Sequence, residues 1–196
     1  MARAASTTLA DALWPADDTN QLTRGVVLTL LGAALLMASA KVQVPFYPVP
    51  MTMQTMVVLL LGMTLGPWLA LAAVLVYLTE GASGLPVFAG TPEKGIGLAY
   101  MAGPTGGYLI GFALAAWVAG RVAGHRPDLK RLTGAALAGI LAIYVPGALW
   151  LSTLVGPGQA IVAGIVPFVL GDLLKGALAV ALAGGAAALL ERRKNA

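Results

Sequence analysis

Long apolar runs, separated by short basic or glycine- and proline-rich segments, make up most of the chain. The first runs from about Gly25 to Ala40 and stops at Val44-Pro45-Phe46-Tyr47-Pro48-Val49-Pro50. The second covers about Thr52 to Leu65 and the third about Pro67 to Thr79, with Gly66-Pro67 between them. A loop rich in glycine and proline then extends from Glu80 to Gly103. The fourth run covers about Thr105 to Gly120, and the charged stretch Arg121 to Arg131 leads to the fifth, about Leu132 to Leu154. Gly156-Pro157-Gly158 turns the chain into the sixth, about Gln159 to Leu190, where Pro167 is placed to kink or divide it. Crossing a bilayer as a helix takes about 20 apolar residues. The second and third runs are short by that measure, so tilt or partial re-entry is expected of them.

This pattern predicts an all-α integral membrane protein with six transmembrane helices in residues 24–196. Residues 1–23 form a cytoplasmic or interfacial N-terminal segment. They carry Asp11, Asp17 and Asp18 ahead of the first long run and do not read as a cleaved signal. A short helix lying on the membrane, with Leu9, Leu13 and Trp14 on one side, fits them.

Charge orients the six spans. Arg3, Arg24, Arg121, Arg126, Lys130, Arg131, Arg192, Arg193 and Lys194 fall on one side when the span count is even. By the positive-inside rule that side, with both termini, is cytoplasmic. Lys41 and Lys94 then fall outside, and the proline-rich loop and the 80–103 loop both face outward.

The composition agrees, with 59% hydrophobic and 10% charged residues against about 25% charged in a soluble domain. There is no cysteine, which removes disulfides and thiolate metal sites. The single histidine, His125, sits in a basic loop beside Arg126, a poor place for a metal or proton-relay site. The net charge of +4 comes mostly from the membrane-flanking clusters and does not point to nucleic acid.

Asp172 and Lys175 are the only charges between Ile161 and Leu190. Ionisable groups inside a membrane helix are expensive and mark a functional site, each being the other's expected partner. Three residues apart, they share one helix face. The alternative is a lysine snorkelling to the interface with Asp172 neutralising it. Glu191, Arg192, Arg193 and Lys194 already anchor that helix, so a second anchor is redundant.

Other motifs are weaker. Gly103-Pro104-Thr105-Gly106-Gly107-Tyr108 opens the fourth run, where glycines permit close backbone approach and free N–H groups favour an anion. It also reads as a loop-to-helix junction with Thr105 as N-cap. Ala34 and Ala38 have the small-xxx-small spacing of close helix packing, within the chain or between chains. Gln54 and Tyr47 offer polar groups from the first outer loop, or else cap backbone and join the interfacial aromatic belt. Glu93 and Lys94 read most simply as a solvated loop tip. Gly81-Ala82-Ser83-Gly84 has the GxSG pattern of intramembrane serine proteases, but the only histidine lies on the opposite side of the membrane. No Gly-Lys-Ser/Thr loop for nucleotide phosphates occurs.

Taken together, four segments resemble the BioY family, the biotin-binding membrane subunits (S components) of energy-coupling factor transporters. They are Val44-Pro45-x-Tyr47-Pro48-Val49-Pro50-Met51-Thr52-x-Gln54-Thr55, Gly84-Leu85-Pro86-Val87-Phe88-Ala89-Gly90, Gly103 to Phe112, and Gly171-Asp172-Leu173-Leu174-Lys175. They occur in family order and span nearly the whole membrane region. Thr91-Pro92-Glu93-Lys94 departs from the glycine-rich stretch of many members. The resemblance implies six helices in a prokaryotic cell membrane, with biotin bound near the outer face beneath the two outer loops. It implies no enzymatic activity and no cofactor, biotin being the transported ligand. It also implies that Ala34 and Ala38 dock on a transmembrane energising subunit that partners a pair of ATPases, a partnership with which some members dispense.

Biotin's chemistry suits such a site. Its ureido ring has two N–H donors for Asp172 and a carbonyl acceptor for Lys175. Its carboxylate needs donors: backbone N–H groups near Gly106 and Gly107, Thr105, Tyr108, or Lys94 from the loop. Its bicycle and alkyl chain need apolar walls, with Tyr47, Phe88 and Tyr100 as candidates. The competing reading is a stand-alone secondary carrier in which Asp172 couples transport to protons.

Overall fold

Where water is scarce, a helix is the local way to satisfy every backbone donor and acceptor, and each apolar run of this chain is helical. The computed structural model describes residues 8–15, 20–44, 47–125 and 128–195, without the side chains of 193–195. Arg3, Asp17, Asp18, Pro45, Phe46 and Arg126 lie outside the described residues, as do the side chains of Arg193 and Lys194. In chain order the elements are α1 (Leu9–Leu13), α2 (Gln21–Lys41), β1 (Gln43–Val44), β2 (Met51–Thr52), α3 (Gln54–Leu65) and α4 (Pro67–Ala82). They continue with α5 (Gly97–Met101), α6 (Gly106–Ala123), α7 (Leu129–Val155), α8 (Pro157–Gly164) and α9 (Val166–Asn195).

Four helices, α2, α6, α7 and α9, are long and apolar enough to cross a membrane, and α3 and α4 are shorter apolar helices. Their outer faces carry large apolar side chains such as Leu30, Leu31, Leu35, Leu141, Leu149 and Leu170. The inner faces carry small ones: Ala33, Ala70, Ala73, Ala115, Ala116 and Ala119 are buried. Small inward residues let helix backbones come close when no water is present to drive association. A Cβ added at Gly111 of α6 would lie 2.8 Å from the Ile143 backbone of α7, so this crossing admits only glycine without a shift.

Two Gly-Pro corners reverse the chain with almost no loop. Gly66 at φ +81° ends α3, its N–H donating to Gly62 O, and Pro67 starts α4. Gly156 at φ +85° ends α7 in the same way, and Pro157 starts α8. Glycine accepts the left-handed backbone, and proline at a helix start gives up only an N–H that has no helical partner.

Three expectations are refined. The sixth apolar run is two helices parted at Ile165, just ahead of Pro167, and α9 alone has 30 residues. The proline lacks an N–H and crowds the residue before it, which divides the run. The proline-rich break is not a bare turn, since β1 and β2 form an antiparallel hairpin pairing Gln43 with Thr52 and Val44 with Met51. At the N-terminus, Leu9 and Ala10 are buried, Leu9 packing among α3, α7 and α9 residues, whereas Leu13 and Trp14 are exposed. Leu9 therefore does not share an outer face with them. Thr8 and Asp11 form a reciprocal capping box around α1, and Asp11 also binds buried Arg24 of α2 at 2.8 Å.

Candidate functional site

The hairpin, the loop after α4, and the helices α3, α4, α5, α6, α7 and α9 line two narrow, adjoining clefts. Val49, Pro50, Thr52, Tyr108 and Phe112 line both. One cleft has an aromatic wall of Tyr77, Phe88 and Tyr100, with Gln54 and Thr105. The other ends on Asp172, Lys175, Tyr144 and Thr55.

The polar end is tightly built. Asp172 and Lys175 are 4% and 7% exposed, so neither charge is solvated by bulk water. Lys175 Nζ donates to Asp172 Oδ1 at 2.9 Å, as their spacing on α9 requires. The Tyr144 hydroxyl of α7 donates to Asp172 Oδ2 at 2.8 Å. Both carboxylate oxygens are thus engaged, each with lone-pair capacity left, and the ammonium has further donors for a ligand in the cleft. A buried charge pair of this kind is held by geometry and added hydrogen bonds rather than by Coulomb attraction alone.

The aromatic end is anchored through polar atoms. Gln54 Nε2 donates to the Tyr77 hydroxyl at 2.8 Å, and Gln54 Oε1 accepts from Thr52 Oγ1 at 3.2 Å. Phe88 stacks on Tyr100 with ring centroids 4.8 Å apart and meets Tyr77 edge-on at 5.4 Å. The Tyr100 hydroxyl donates to Ala89 O at 2.9 Å. Burial pushes the Tyr100 phenol above its ordinary value, with Thr105 pulling the other way, so it stays a neutral donor. On α6, the Tyr108 hydroxyl reaches Gly164 O of α8 at 2.8 Å while the ring lines both clefts.

Asp172, Lys175, Gln54, Phe88, Tyr100, Thr105 and Tyr108 therefore lie around one space. Four other candidates lie elsewhere. Tyr47 is 91% exposed and lines neither cleft, because the hairpin turns Val49 and Pro50 inward instead. Lys94 is exposed and lies against Gly90. The Gly106 N–H is taken by Gly103 O at 3.1 Å. Gly107 packs against Pro146, Gly147 and Trp150 of α7, where a side chain would collide with that helix. Thr105 precedes α6 without a side-chain cap. The Ser83 hydroxyl donates to Glu80 O at 2.7 Å in the turn at the end of α4. Ala34 and Ala38 are both exposed on the outer face of α2.

Sequence reasoning missed Tyr144, Tyr77, Thr52 and Thr55. The signal for Tyr144 was the one hydroxyl between Gly134 and Leu151, in the middle of the fifth apolar run. Its relation to Asp172, 28 residues away, is not a local pattern.

The BioY family model matches residues 6–192. The probable biotin transporter BioY of Pyrococcus horikoshii is 41% identical over 158 residues, covering 81% of this chain and 93% of that protein. The biotin transporter BioY of Thermotoga maritima is 40% identical over 151 residues, 76% of this chain and 88% of that protein. Among solved structures, the S-component for biotin from an ECF-type ABC transporter superposes with a TM-score of 0.73 at 25% identity, covering 91% of this chain and 95% of its own. On this evidence, the chain belongs to the BioY family.

Proposed function

We propose that this chain is the biotin-binding subunit of a vitamin uptake transporter, capturing biotin at the outer face of a prokaryotic cell membrane and performing no chemistry on it. The observation that carries the reading is the buried Asp172–Lys175–Tyr144 group opening onto an aromatic cleft. Ureido N–H groups meet the carboxylate and the ureido carbonyl meets the ammonium. Each charge-assisted bond in such a site is worth roughly 1.5–3 kcal/mol. Phe88, Tyr100, Val49 and Phe112 supply apolar walls for the bicycle and chain. With Lys94 exposed, the Gly106 N–H taken and the Tyr108 hydroxyl donating to Gly164 O, Thr105 remains as a side-chain donor for the carboxylate among the expected candidates. The clefts are narrow, so entry requires the hairpin or the loop over them to part.

In this reading α2, α3, α4, α6, α7 and α9 are six spans with both termini cytoplasmic, and the hairpin and the α4–α6 connection face outward. The positive-inside distribution supports it. Without a phosphate-binding loop, the chain relies on a transmembrane energising subunit and its ATPase pair for work. The exposed Ala34 and Ala38 on α2 give a backbone-close surface for docking on them.

The test is equilibrium binding of labelled biotin to the purified protein in nanodiscs, beside the Lys175→Met variant. Saturable binding that the variant loses is expected. Absence of binding by well-folded parent protein overturns the assignment of biotin.

A further inference from the structure

Lys41 ends α2, and its side chain crosses to the segment 86–91 that follows α4. Its Nζ donates to Pro86 O at 2.6 Å, to Phe88 O at 3.0 Å and to Thr91 Oγ1 at 3.2 Å. An ammonium has three donors, and all three are directed at this one segment. Thr91 Oγ1 in turn donates to Phe88 O at 2.7 Å. Between these, Val87 O accepts from Tyr77 at 3.5 Å and Ala89 O from Tyr100. The carbonyls of residues 86–89 are therefore all held by side chains, and among these holders Lys41 alone comes from α2.

Among the described residues the ion pairs are Arg24–Asp11 and Lys175–Asp172, so Lys41 is held by neutral oxygens and not by a carboxylate. Fixing a long lysine chain at an exposed position costs rotamer entropy. Three charge-assisted bonds to oxygens offset that cost. What they fix is Phe88, whose ring fills the wall of the aromatic cleft between Tyr77 and Tyr100.

We propose that Lys41 is a latch, a positioning residue that holds segment 86–91 closed over the aromatic cleft and so sets how long a bound ligand stays. The ligand's identity rests on the biotin reading above, but the latch does not. Because Lys41 belongs to the helix carrying Ala34 and Ala38, the latch also joins the lid to the surface assigned to partner docking.

Dissociation of labelled biotin from the full-length protein in nanodiscs tests this, comparing parent, Lys41→Met and Lys41→Arg. Lys41→Met, which loses all three bonds, is expected to release biotin at least about 10- to 100-fold faster, the range that loss of one charge-assisted hydrogen bond alone corresponds to. Its association rate is expected not to fall, since entry also requires this segment to part. Lys41→Arg, which keeps charge and donors, restores most of the residence time. Hydrogen exchange at residues 86–91 of the ligand-free protein is the second readout, and it is expected to be faster in Lys41→Met. No binding by the parent overturns the biotin reading and leaves the exchange measurement to decide the latch. Equal exchange in parent and variant overturns the latch, as does equal dissociation from a parent that binds. Should Lys41→Met not fold, Thr91→Val removes one of the three oxygens and leaves α2 whole, and unchanged exchange in that variant overturns it equally.

Discussion

Tyr144 donates its hydroxyl to Asp172 Oδ2 at 2.8 Å, joining α7 to α9 at the floor of the cleft. This bond engages the carboxylate oxygen that Lys175 leaves open. Replacing Tyr144 by Phe leaves that buried oxygen without its partner. The expected loss is about 1–3 kcal/mol of stability, with weaker biotin binding. Thermal unfolding in detergent checks the first and titration the second. An unchanged midpoint and affinity would show that the hydroxyl is dispensable to both.

Lys175→Met leaves an uncompensated carboxylate in the interior, which costs roughly 3–5 kcal/mol. Adding Asp172→Asn removes the orphaned charge, so the double variant is expected to regain much of that stability while still failing to bind biotin. The four-protein cycle separates pairing from ligand recognition. Biotin binding by the double variant at parental affinity would reduce the pair to a structural role.

Phe88 is fully buried between two tyrosine rings. Phe88→Ala is expected to cost about 3–5 kcal/mol and to open the cleft. Tyr100→Phe keeps the stacking and loses only the bond to Ala89 O, about 1 kcal/mol. If both variants shift the unfolding midpoint equally, ring packing does not govern this wall.

The chain has no cysteine, so a single introduced one reports sidedness without background. With six spans and cytoplasmic termini, Glu93→Cys is expected to react with an impermeant maleimide on intact cells. Lys130→Cys reacts only after permeabilisation. Labelling of both positions on intact cells would overturn the proposed topology.

Ala34→Trp or Ala38→Trp adds bulk to an exposed face of α2. Biotin binding by the isolated chain is expected to persist, while co-purification with energising subunits is lost. Retained co-purification would place the docking surface elsewhere.

Sequence alone determined what depends on neighbours along the chain. Apolar length predicted the helices, because a backbone removed from water must satisfy itself within the segment. Pro167 predicted a kink or a division of the sixth run, by removing an N–H and crowding the residue before it, and the structure shows a division. Asp172 and Lys175 stood out because charges in an apolar run are costly, and three-residue spacing makes them partners on any helix.

Tertiary structure decided which faces turn toward one another. The rotation of α7 against α9 made Tyr144 a partner of Asp172, a choice that no local pattern encodes. In the connection between the hairpin strands, Val49 is buried against the helices and Tyr47 is exposed, a choice made by packing and not by the local sequence. The packing of α6 on α7 brought Gly107 against a neighbouring helix at a distance that only glycine allows without a shift. Lys41 reads in the sequence as an outward-facing charge after a membrane helix. It meets segment 86–91 only because α2 and α4 bring residues 45 to 50 positions apart to one place. Such long-range contacts depend on how packed helices are rotated and shifted, and that is settled by the fit of all their surfaces together.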